Sequence, residues 1–208
     1  MQLVWDMDGT LLDSEEVVPD AFIGAVAELQ GPSVDRSMVI ATYSLGVPEV
    51  IMAHLLGRTL EEGEAEAYYG RLADAQLSPY AGVVVVLDEL RYRGHPIVIF
   101  TGSSTRAASM LLTSARIKVD LLIGGDQIDR PKPAPDGLRA VAARLNLDPT
   151  SMAYIGDAPT DLQAAKAAGV WSVAAGWGHL YNPEEPADIT LATPEQALDF
   201  LIEPGGRR

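Results

Sequence analysis

The sequence contains no cysteine, and only three of its 208 residues are lysine. Without cysteine the chain has no disulfides, no thiolate zinc sites and no cysteine nucleophile, which excludes the cysteine-dependent phosphatases. The formal net charge of −14 leaves no basic face for a nucleic-acid backbone, so we expect no nucleic-acid partner. Any bound anion therefore needs a local site built from a few cations and backbone N–H groups.

Long hydrophobic runs are also absent. No apolar segment approaches the ~20 residues that span a bilayer, and no basic segment followed by an apolar one precedes Val4. We therefore expect a cytoplasmic protein without a membrane partner. We also expect the protein to be a monomer or a homodimer. The chain length and the hydrophobic content of 48% fit one globular domain, or one domain that carries an insertion.

Residues 14–78 differ from the rest of the chain. They are acidic, poor in strand-forming runs and apolar at helical spacing. This pattern predicts an all-helical inserted cap with a loop at residues 44–46. The predicted helices cover residues 22–29, 47–55 and 60–77.

From residue 79 onward, short apolar runs alternate with amphipathic segments, which is typical of a parallel sheet with crossover helices. Residues 83–86 are four valines, which favour a strand, but the apolar spacing through residue 90 and the following Gly94 favour a helix, which we predict. Residues 203–208 resemble a loose tail. The predicted strands cover residues 3–5, 97–100, 121–123, 153–155, 170–173 and 189–191.

These patterns predict an α/β fold, a Rossmann-like parallel sheet core with helices on both faces and the inserted all-helical cap. Residues 1–13 and 79–208 form the predicted core domain, and residues 14–78 form the predicted cap domain.

Asp6 and Asp8 directly follow the first predicted strand, in the sequence VWDMDGTLLD. In an open α/β sheet, ligands bind beyond the carboxyl ends of the strands, so both carboxylates are expected at a ligand site. Two carboxylates held close together favour a bound cation, and Mg²⁺ prefers such oxygen ligands. A polar Asp-Gly turn that closes the strand is the alternative interpretation.

Two further strand ends carry groups suited to an anion. Thr101 and Gly102 offer a hydroxyl and backbone N–H groups before a predicted helix, although Ser103 or Ser104 as a simple N-cap also explains the segment. Lys132 is flanked by two prolines, which suggests a positioned charge; a solvated lysine in a proline loop is the alternative.

The last polar strand end is GDAPTD, which contains Asp157 and Asp161. Asp157 ends the strand and is the better candidate metal ligand. Asp161 falls in the first turn of the next helix, where it could instead interact with the helix dipole.

Taken in order, DMDGT, the Thr101 strand end, Lys132 and GDAPTD resemble the four motifs of the haloacid dehalogenase superfamily. The resemblance is to its phosphatase branch with a small helical cap, and to the phosphoglycolate phosphatase-like group in particular. It covers essentially the whole chain, including the insert after the first motif.

The resemblance implies a role for each motif residue. Asp6 is the nucleophile that forms an aspartyl-phosphate, and Asp8 is the general acid and base. Asp6, the backbone carbonyl of Asp8 and Asp157 hold Mg²⁺, with Asp161 near the metal. Thr101, Gly102 and Lys132 bind the phosphoryl group.

The resemblance also ranks the branches of the superfamily. Asp8 argues against dehalogenase chemistry, which needs no leaving-group acid, and the absence of lysine from the cap argues against the phosphonate-cleaving members. Phosphosugar mutases carry basic residues in the first cap loop, and residues 44–49 have none. We therefore expect a Mg²⁺-dependent phosphatase acting on a small phosphorylated metabolite, either phosphoglycolate-like or a sugar phosphate. A phosphosugar mutase is the alternative, and a non-catalytic binding protein is the remote one.

Other polar residues are expected to have structural roles. His54, His95 and His179 lack metal-ligand spacing and are predicted to be packing or surface residues. Trp177 is predicted either to pack in the core or to line the site. The cap arginines are predicted to lie on solvated helix faces, and contact with a substrate is the alternative: Arg36, Arg58 and Arg71.

Overall fold

A computed structural model describes residues 1–202 and contains one sheet of six parallel strands in the order β3-β2-β1-β4-β5-β6. Every neighbouring pair in this sheet is parallel. The predicted strands are confirmed, and their ends differ from the observed ones by no more than two residues. The predicted tail at residues 203–208 lies outside the described residues. The strands are β1 (Gln2–Trp5), β2 (Val98–Phe100), β3 (Leu121–Ile123), β4 (Met152–Gly156), β5 (Trp171–Ala175) and β6 (Ile189–Leu191).

Helices connect most of the strands and fill the insert, whereas β5 and β6 are joined by a loop. Within residues 1–202, none of the helices is long and apolar enough to cross a membrane. Three short 3₁₀ helices lie at Tyr43–Leu45, Gly125–Gln127 and Pro149–Ser151. The α-helices are α1 (Val17–Glu28), α2 (Arg36–Ile40), α3 (Pro48–Leu56), α4 (Glu66–Asp74), α5 (Val83–Tyr92), α6 (Thr105–Ser114), α7 (Asp136–Leu145), α8 (Pro159–Ala168) and α9 (Gln196–Ile202).

Two apolar clusters cover opposite faces of the sheet, because side chains alternate along each strand. In β1, Leu3 and Trp5 belong to one cluster and Val4 to the other. The first cluster includes residues from α5, α6, α9 and the insert, and the second includes residues from α7 and α8. The predicted Rossmann-like α/β fold with helices on both faces is therefore confirmed.

The ambiguous valine run is the start of α5, as predicted. Val83 and Val86 are buried, whereas Val84 and Val85 are 49% and 65% exposed. Burial that returns after three residues is the helical period, and a half-buried strand would alternate instead. The packing of one helical face against the sheet therefore outweighs the strand preference of valine.

Within residues 14–78 the structure contains helices α1 to α4 and the 3₁₀ helix at Tyr43–Leu45, with no strand. The third cap helix, predicted at residues 60–77, is shorter, because Gly63 at φ 86° interrupts the run and Glu64 closes a turn. The Glu64 carboxylate accepts hydrogen bonds from Arg58 and from the Glu61 N–H at 2.8 Å. The five-residue α2 was not predicted.

The two connections between the insert and the sheet run side by side. The Asp13 N–H donates to the Ser78 carbonyl oxygen at 3.1 Å, and the Tyr80 N–H donates to the Leu11 carbonyl oxygen at 3.0 Å. Inside the insert, α1 packs against α4. On these contacts we propose that residues 14–78 form a separate cap domain and that residues 1–13 and 79–208 form the core domain.

Candidate active site

The candidate site lies at the centre of the sheet, where the strand order reverses between β1 and β4. Trp5 at the end of β1 pairs with Ile155 near the end of β4. Asp6 and Asp157 therefore leave adjacent strands at the same edge. Such a switch point is where open α/β sheets form a ligand crevice.

Lys132 joins two of the predicted acids. Its Nζ lies 2.7 Å from Oδ1 of Asp6 and 2.5 Å from Oδ1 of Asp161. It also donates to the Tyr154 hydroxyl at 3.2 Å, and this hydroxyl donates to the Phe100 carbonyl oxygen at 2.9 Å. The Lys132 side chain is mostly buried, with 12% of it exposed, so its charge is held in place and is not free in solvent.

Three of the predicted acids form a cluster that could hold a metal ion. Asp6, Asp157 and Asp161 are buried, and each offers a carboxylate oxygen within 4.8 Å of the others. Oxygen atoms of this kind suit a hard cation such as Mg²⁺. The donor set therefore fits the predicted metal, whereas the Asp8 carboxylate is not part of this cluster.

The charges at the site are unbalanced in favour of the acids. Burial, and then repulsion from Asp161, raise the pKa of Asp6, although Lys132 opposes the shift. The same two causes raise the pKa of Asp157 to about 7. Burial lowers the pKa of Lys132, but the charges of Asp161 and Asp6 outweigh this and raise it. A bound cation would relieve this repulsion.

Two glycines allow neighbouring loops to approach Asp157. A Cβ on Gly9, whose φ is 77°, would lie 2.2 Å from Oδ2 of Asp157. A Cβ on Gly178 would lie 2.2 Å from the Asp157 Cβ and 2.3 Å from the Gly9 carbonyl oxygen. The Leu180 N–H then donates to Asp157 Oδ2 at 2.9 Å, and the Thr10 hydroxyl donates to Oδ1 at 3.4 Å.

Asp8 lines the adjoining cavity and has a different environment. Burial raises the pKa of its carboxyl, and a hydrogen bond with Ser14 offsets the shift only in part. Its Oδ1 is buried without a hydrogen-bond partner among the described residues. A carboxyl group with a raised pKa retains a proton more readily and is suited to proton transfer.

Asp161 also has the structural role that the sequence left open. Its Oδ2 accepts a hydrogen bond at 3.0 Å from the N–H of Ala158, at the start of α8. Its Oδ1 meanwhile contacts Lys132, so one side chain both caps the helix and contributes to the acidic cluster.

Thr101 and Gly102 line the cavity, as does Lys132. The Thr101 hydroxyl oxygen accepts from the Ser103 N–H at 3.1 Å, which leaves its proton available to donate to a ligand. Ser104 is the N-cap of α6, because its hydroxyl accepts from the Ala107 N–H at 3.2 Å. The capping interpretation therefore holds for Ser104 and coexists with a cavity position for Thr101.

The cavity has a volume of about 330 Å³ and lies between the sheet edge and the insert. His179, which was predicted to be a packing or surface residue, is half-buried and lines the cavity. Its Nδ1 lies 3.2 Å from the Tyr80 hydroxyl. Trp177 does not line the cavity, and its indole N–H donates to the Thr10 carbonyl oxygen at 2.9 Å.

Sequence reasoning also missed Tyr154, whose hydroxyl lies 3.3 Å from Asp6 Oδ1. Its only local signal was its place in the strand before Asp157, which does not show where the ring points. The glycines on either side of Trp177 were the one signal for a close approach near His179.

A family model described as haloacid dehalogenase-like hydrolase matches residues 2–169. The chain belongs to the haloacid dehalogenase-like hydrolases. The predicted superfamily and the prediction of an enzyme of the hydrolase class are thereby confirmed.

Curated relatives of this haloacid dehalogenase-like hydrolase are named phosphatases. The chain is 33% identical to the Dickeya dadantii protein named probable phosphatase IndB, and the match covers 97% of this chain and 90% of that protein. It is 32% identical to a phosphoglycolate phosphatase of Xanthomonas campestris, with 93% of each chain covered. These names agree with the predicted phosphatase branch.

Solved structures of other proteins share the fold. A predicted phosphoglycolate phosphatase from Haemophilus somnus has a TM-score of 0.77 at 21% identity, and 96% of this chain and 97% of that chain are covered. A predicted β-phosphoglucomutase from Thermotoga maritima has a TM-score of 0.68 at 23% identity, with 97% and 99% covered. At these identities the likeness shows the fold alone.

Proposed function

We propose that this hydrolase is a Mg²⁺-dependent phosphatase that cleaves small phosphomonoesters through an aspartyl-phosphate on Asp6. The observation that carries the proposal is the buried Asp6 carboxylate, 2.7 Å from the Lys132 ammonium and inside the acidic cluster at the cavity. A carboxylate held by a neighbouring cation is oriented for attack on an electrophilic phosphorus.

Asp8 performs the proton transfers in the proposed reaction. Its carboxyl group protonates the leaving alkoxide when Asp6 attacks phosphorus and the P–O bond to the alcohol breaks. The resulting carboxylate then takes a proton from the water that hydrolyses the aspartyl-phosphate. The raised pKa of Asp8 and its place in the cavity wall support both steps.

The phosphoryl oxygens are stabilised by groups at the neighbouring strand ends. The Thr101 hydroxyl and the Gly102 N–H donate to these oxygens, and Lys132 balances charge between the phosphoryl group and Asp6. Phosphoryl transfer depends mainly on positioning and on such charge compensation.

Asp6, Asp157 and the backbone carbonyl of Asp8 would hold Mg²⁺, with Asp161 beside it. When bound, the metal supplies positive charge that offsets both the repulsion among the carboxylates and the charge of the phosphoryl group. Gly9, Gly178 and the Leu180 N–H fix the Asp157 carboxylate for this purpose.

The cavity volume favours a small substrate, because 330 Å³ lies at the lower end of the range of about 300–1,000 Å³ for ligand pockets. The relatives make phosphoglycolate and sugar phosphates the first compounds to test. Residues 44–49 of the cap contain no basic residue to hold a second phosphate, which favours hydrolysis over the mutase reaction. The presence of the nucleophile, the lysine and every metal acid in one cluster disfavours a non-catalytic role.

The test measures phosphate release from p-nitrophenyl phosphate, with Mg²⁺ and with EDTA. We expect release only with Mg²⁺, together with a mass increase of one phosphoryl group on the peptide that contains Asp6 after rapid quenching. Release that persists in EDTA would contradict the metal requirement, and a phosphoryl group on another residue would contradict the role of Asp6. The cytoplasmic location and the monomeric or homodimeric state stay predictions.

A further inference from the structure

The cap side of the cavity is lined by apolar side chains. Phe22 of α1 stacks on Tyr68 of α4, with ring centroids 4.2 Å apart and planes inclined by 25°. The polar groups that the cap adds to this lining are uncharged hydroxyls. The cap residues that line the cavity are Ser14, Val18, Phe22, Ile40, Ala41, Tyr43, Ser44, Gly46, Pro48, Ile51 and Tyr68.

Every arginine of the cap forms an ion pair away from the cavity. Residues 14–78 contain three arginines and no lysine. Arg36 pairs with Glu16 and Asp20, and its side chain is 45% exposed.

The other two cap arginines follow the same pattern. Arg58 pairs with Glu64, Arg71 pairs with Glu28, and both arginines are at least 36% exposed. None of the three lines the cavity. The cap therefore directs its cations to the outer surface and brings none to the substrate.

On the core side, the basic side chains at the cavity already have partners. Among the residues that the structure describes, Lys132 and His179 are the basic side chains that line the cavity. Lys132 contacts both Asp6 and Asp161 at the sheet edge, and His179 contacts the Tyr80 hydroxyl. A negative group on the leaving alcohol would meet an apolar wall without a counter-ion, and burial of an unpaired charge is costly.

We propose that the preferred substrate is a phosphomonoester of an uncharged, mainly apolar alcohol, and that carboxylate-bearing esters such as phosphoglycolate are poor substrates. This inference rests on the proposed phosphatase function and concerns the same site. Phe22, Ile51 and Tyr68 contact the alcohol, and their side chains select it by excluding water and charge.

The first test compares butyl phosphate with 3-carboxypropyl phosphate, which has a similar leaving group and an added carboxylate. We expect kcat/KM for butyl phosphate to be at least about tenfold higher, since about 1.4 kcal/mol corresponds to a factor of ten. Equal values, or a preference for the carboxylate, would overturn the proposal.

The second test places a cation in the cap wall. Ala41 is exposed and lines the cavity, so a long side chain can be introduced there without disturbing the core. We expect Ala41→Lys to shift the ratio of the two kcat/KM values by about tenfold toward 3-carboxypropyl phosphate. Ala41→Gln is the uncharged control and should leave the ratio within about threefold of the wild-type ratio. An equal shift in both variants would mean that size, and not charge, decides selection.

A binding measurement separates this inference from the proposed function. Calorimetry on the full chain with Mg²⁺ compares the binding of butylphosphonate and 3-carboxypropylphosphonate, two analogues that cannot be hydrolysed. Tighter binding of butylphosphonate supports the apolar site even if p-nitrophenyl phosphate is not turned over, in which case only the proposed function fails. Equal or tighter binding of the carboxylate analogue overturns the inference even if turnover is observed.

Discussion

The two sides of the cavity differ in charge. The sheet edge brings Asp6, Asp157 and Asp161 against a single Lys132, and neighbouring groups hold each side chain in place. The cap contributes apolar rings and aliphatic side chains, and keeps its arginines in ion pairs on the outer surface. We propose that the sheet edge supplies electrostatic preorganisation and that the cap selects the alcohol. Substitutions on the two sides should therefore have different kinetic effects.

The largest effect is expected from Asp6→Asn, which preserves the shape of the side chain and removes the nucleophile. We expect kcat to fall by about 10⁴-fold or more. Asp20→Asn makes the same chemical change on the outer surface of the cap, where Asp20 pairs with Arg36, and should leave kcat within about twofold. Initial rates with p-nitrophenyl phosphate give kcat for both variants. Comparable losses of kcat would contradict the assignment of catalysis to the sheet edge.

Removal of the metal is expected to have the next largest effect. EDTA should lower the rate by about 10³-fold, because the acidic cluster then lacks its compensating charge, and added Mg²⁺ should restore the rate. Calorimetry should also show that Asp157→Asn weakens Mg²⁺ binding. Undiminished turnover in EDTA would contradict the metal requirement. Unchanged Mg²⁺ affinity in the variant would show that Asp157 does not bind the metal.

Lys132→Ala should reduce kcat/KM by about 10²–10³-fold, because charge compensation at the phosphoryl group is lost. Lys166→Ala is the matched control, since Lys166 lies on the exposed face of α8 and donates to the Pro186 carbonyl oxygen, away from the cavity. Thermal unfolding should accompany the rates, to separate catalysis from stability. A Lys132 variant within threefold of the wild type would refute the assignment.

Asp8→Asn should distinguish substrates by their leaving groups. An alkyl phosphate needs a proton on its leaving alkoxide, so its rate should fall by about 10²-fold or more, whereas p-nitrophenyl phosphate has a weakly basic leaving group and should lose less. Because hydrolysis of the aspartyl-phosphate also lacks its base, intact mass should reveal accumulated phosphoenzyme with p-nitrophenyl phosphate. Equal losses with no phosphoenzyme would mean that Asp8 acts through structure or metal binding.

The smallest expected effects are on stability and compare the sheet edge with the cap directly. A Cβ at Gly178 would lie 2.2 Å from the Asp157 Cβ, so Gly178→Ala should destabilise the protein by about 2–3 kcal/mol. Gly70 lies on the exposed face of α4, and a Cβ there meets no atom within 4 Å. Gly70→Ala should therefore stabilise the protein by up to about 1 kcal/mol. Urea unfolding measures the free energy of unfolding of both variants. An equal change in this free energy would contradict the close packing around Asp157.

Much of the core was predictable because its signals are local. Short apolar runs located all six strands, and the acids and Lys132 follow strand ends, where a parallel sheet brings them to one edge. Topology alone therefore placed Asp6 near Asp157, although they are far apart in sequence. The helical burial of the valines in α5 was predicted from the residues that follow them.

The parts that were missed depend on contacts that a single segment does not encode. Tyr154 reaches Lys132 and Asp6 across strands, and His179 reaches the cavity because Gly178 lets its loop approach Asp157. In the cap, Arg58 pairs with Glu64 in the turn at Gly63 that precedes the shortened third helix. The apolar character of the cavity wall also appears only after the cap helices are placed over the sheet edge.

The paired connections at Asp13–Ser78 and Leu11–Tyr80 have a consequence for how such proteins diversify. Because the insert leaves and rejoins the sheet at one point, its length and content can change without altering any strand. Because we propose that residues 14–78 form a separate domain, we expect that a gene segment encoding another bundle with adjacent ends could replace them as a cassette. Recombination at these two junctions would then exchange the recognition surface while the reactive groups stay in register.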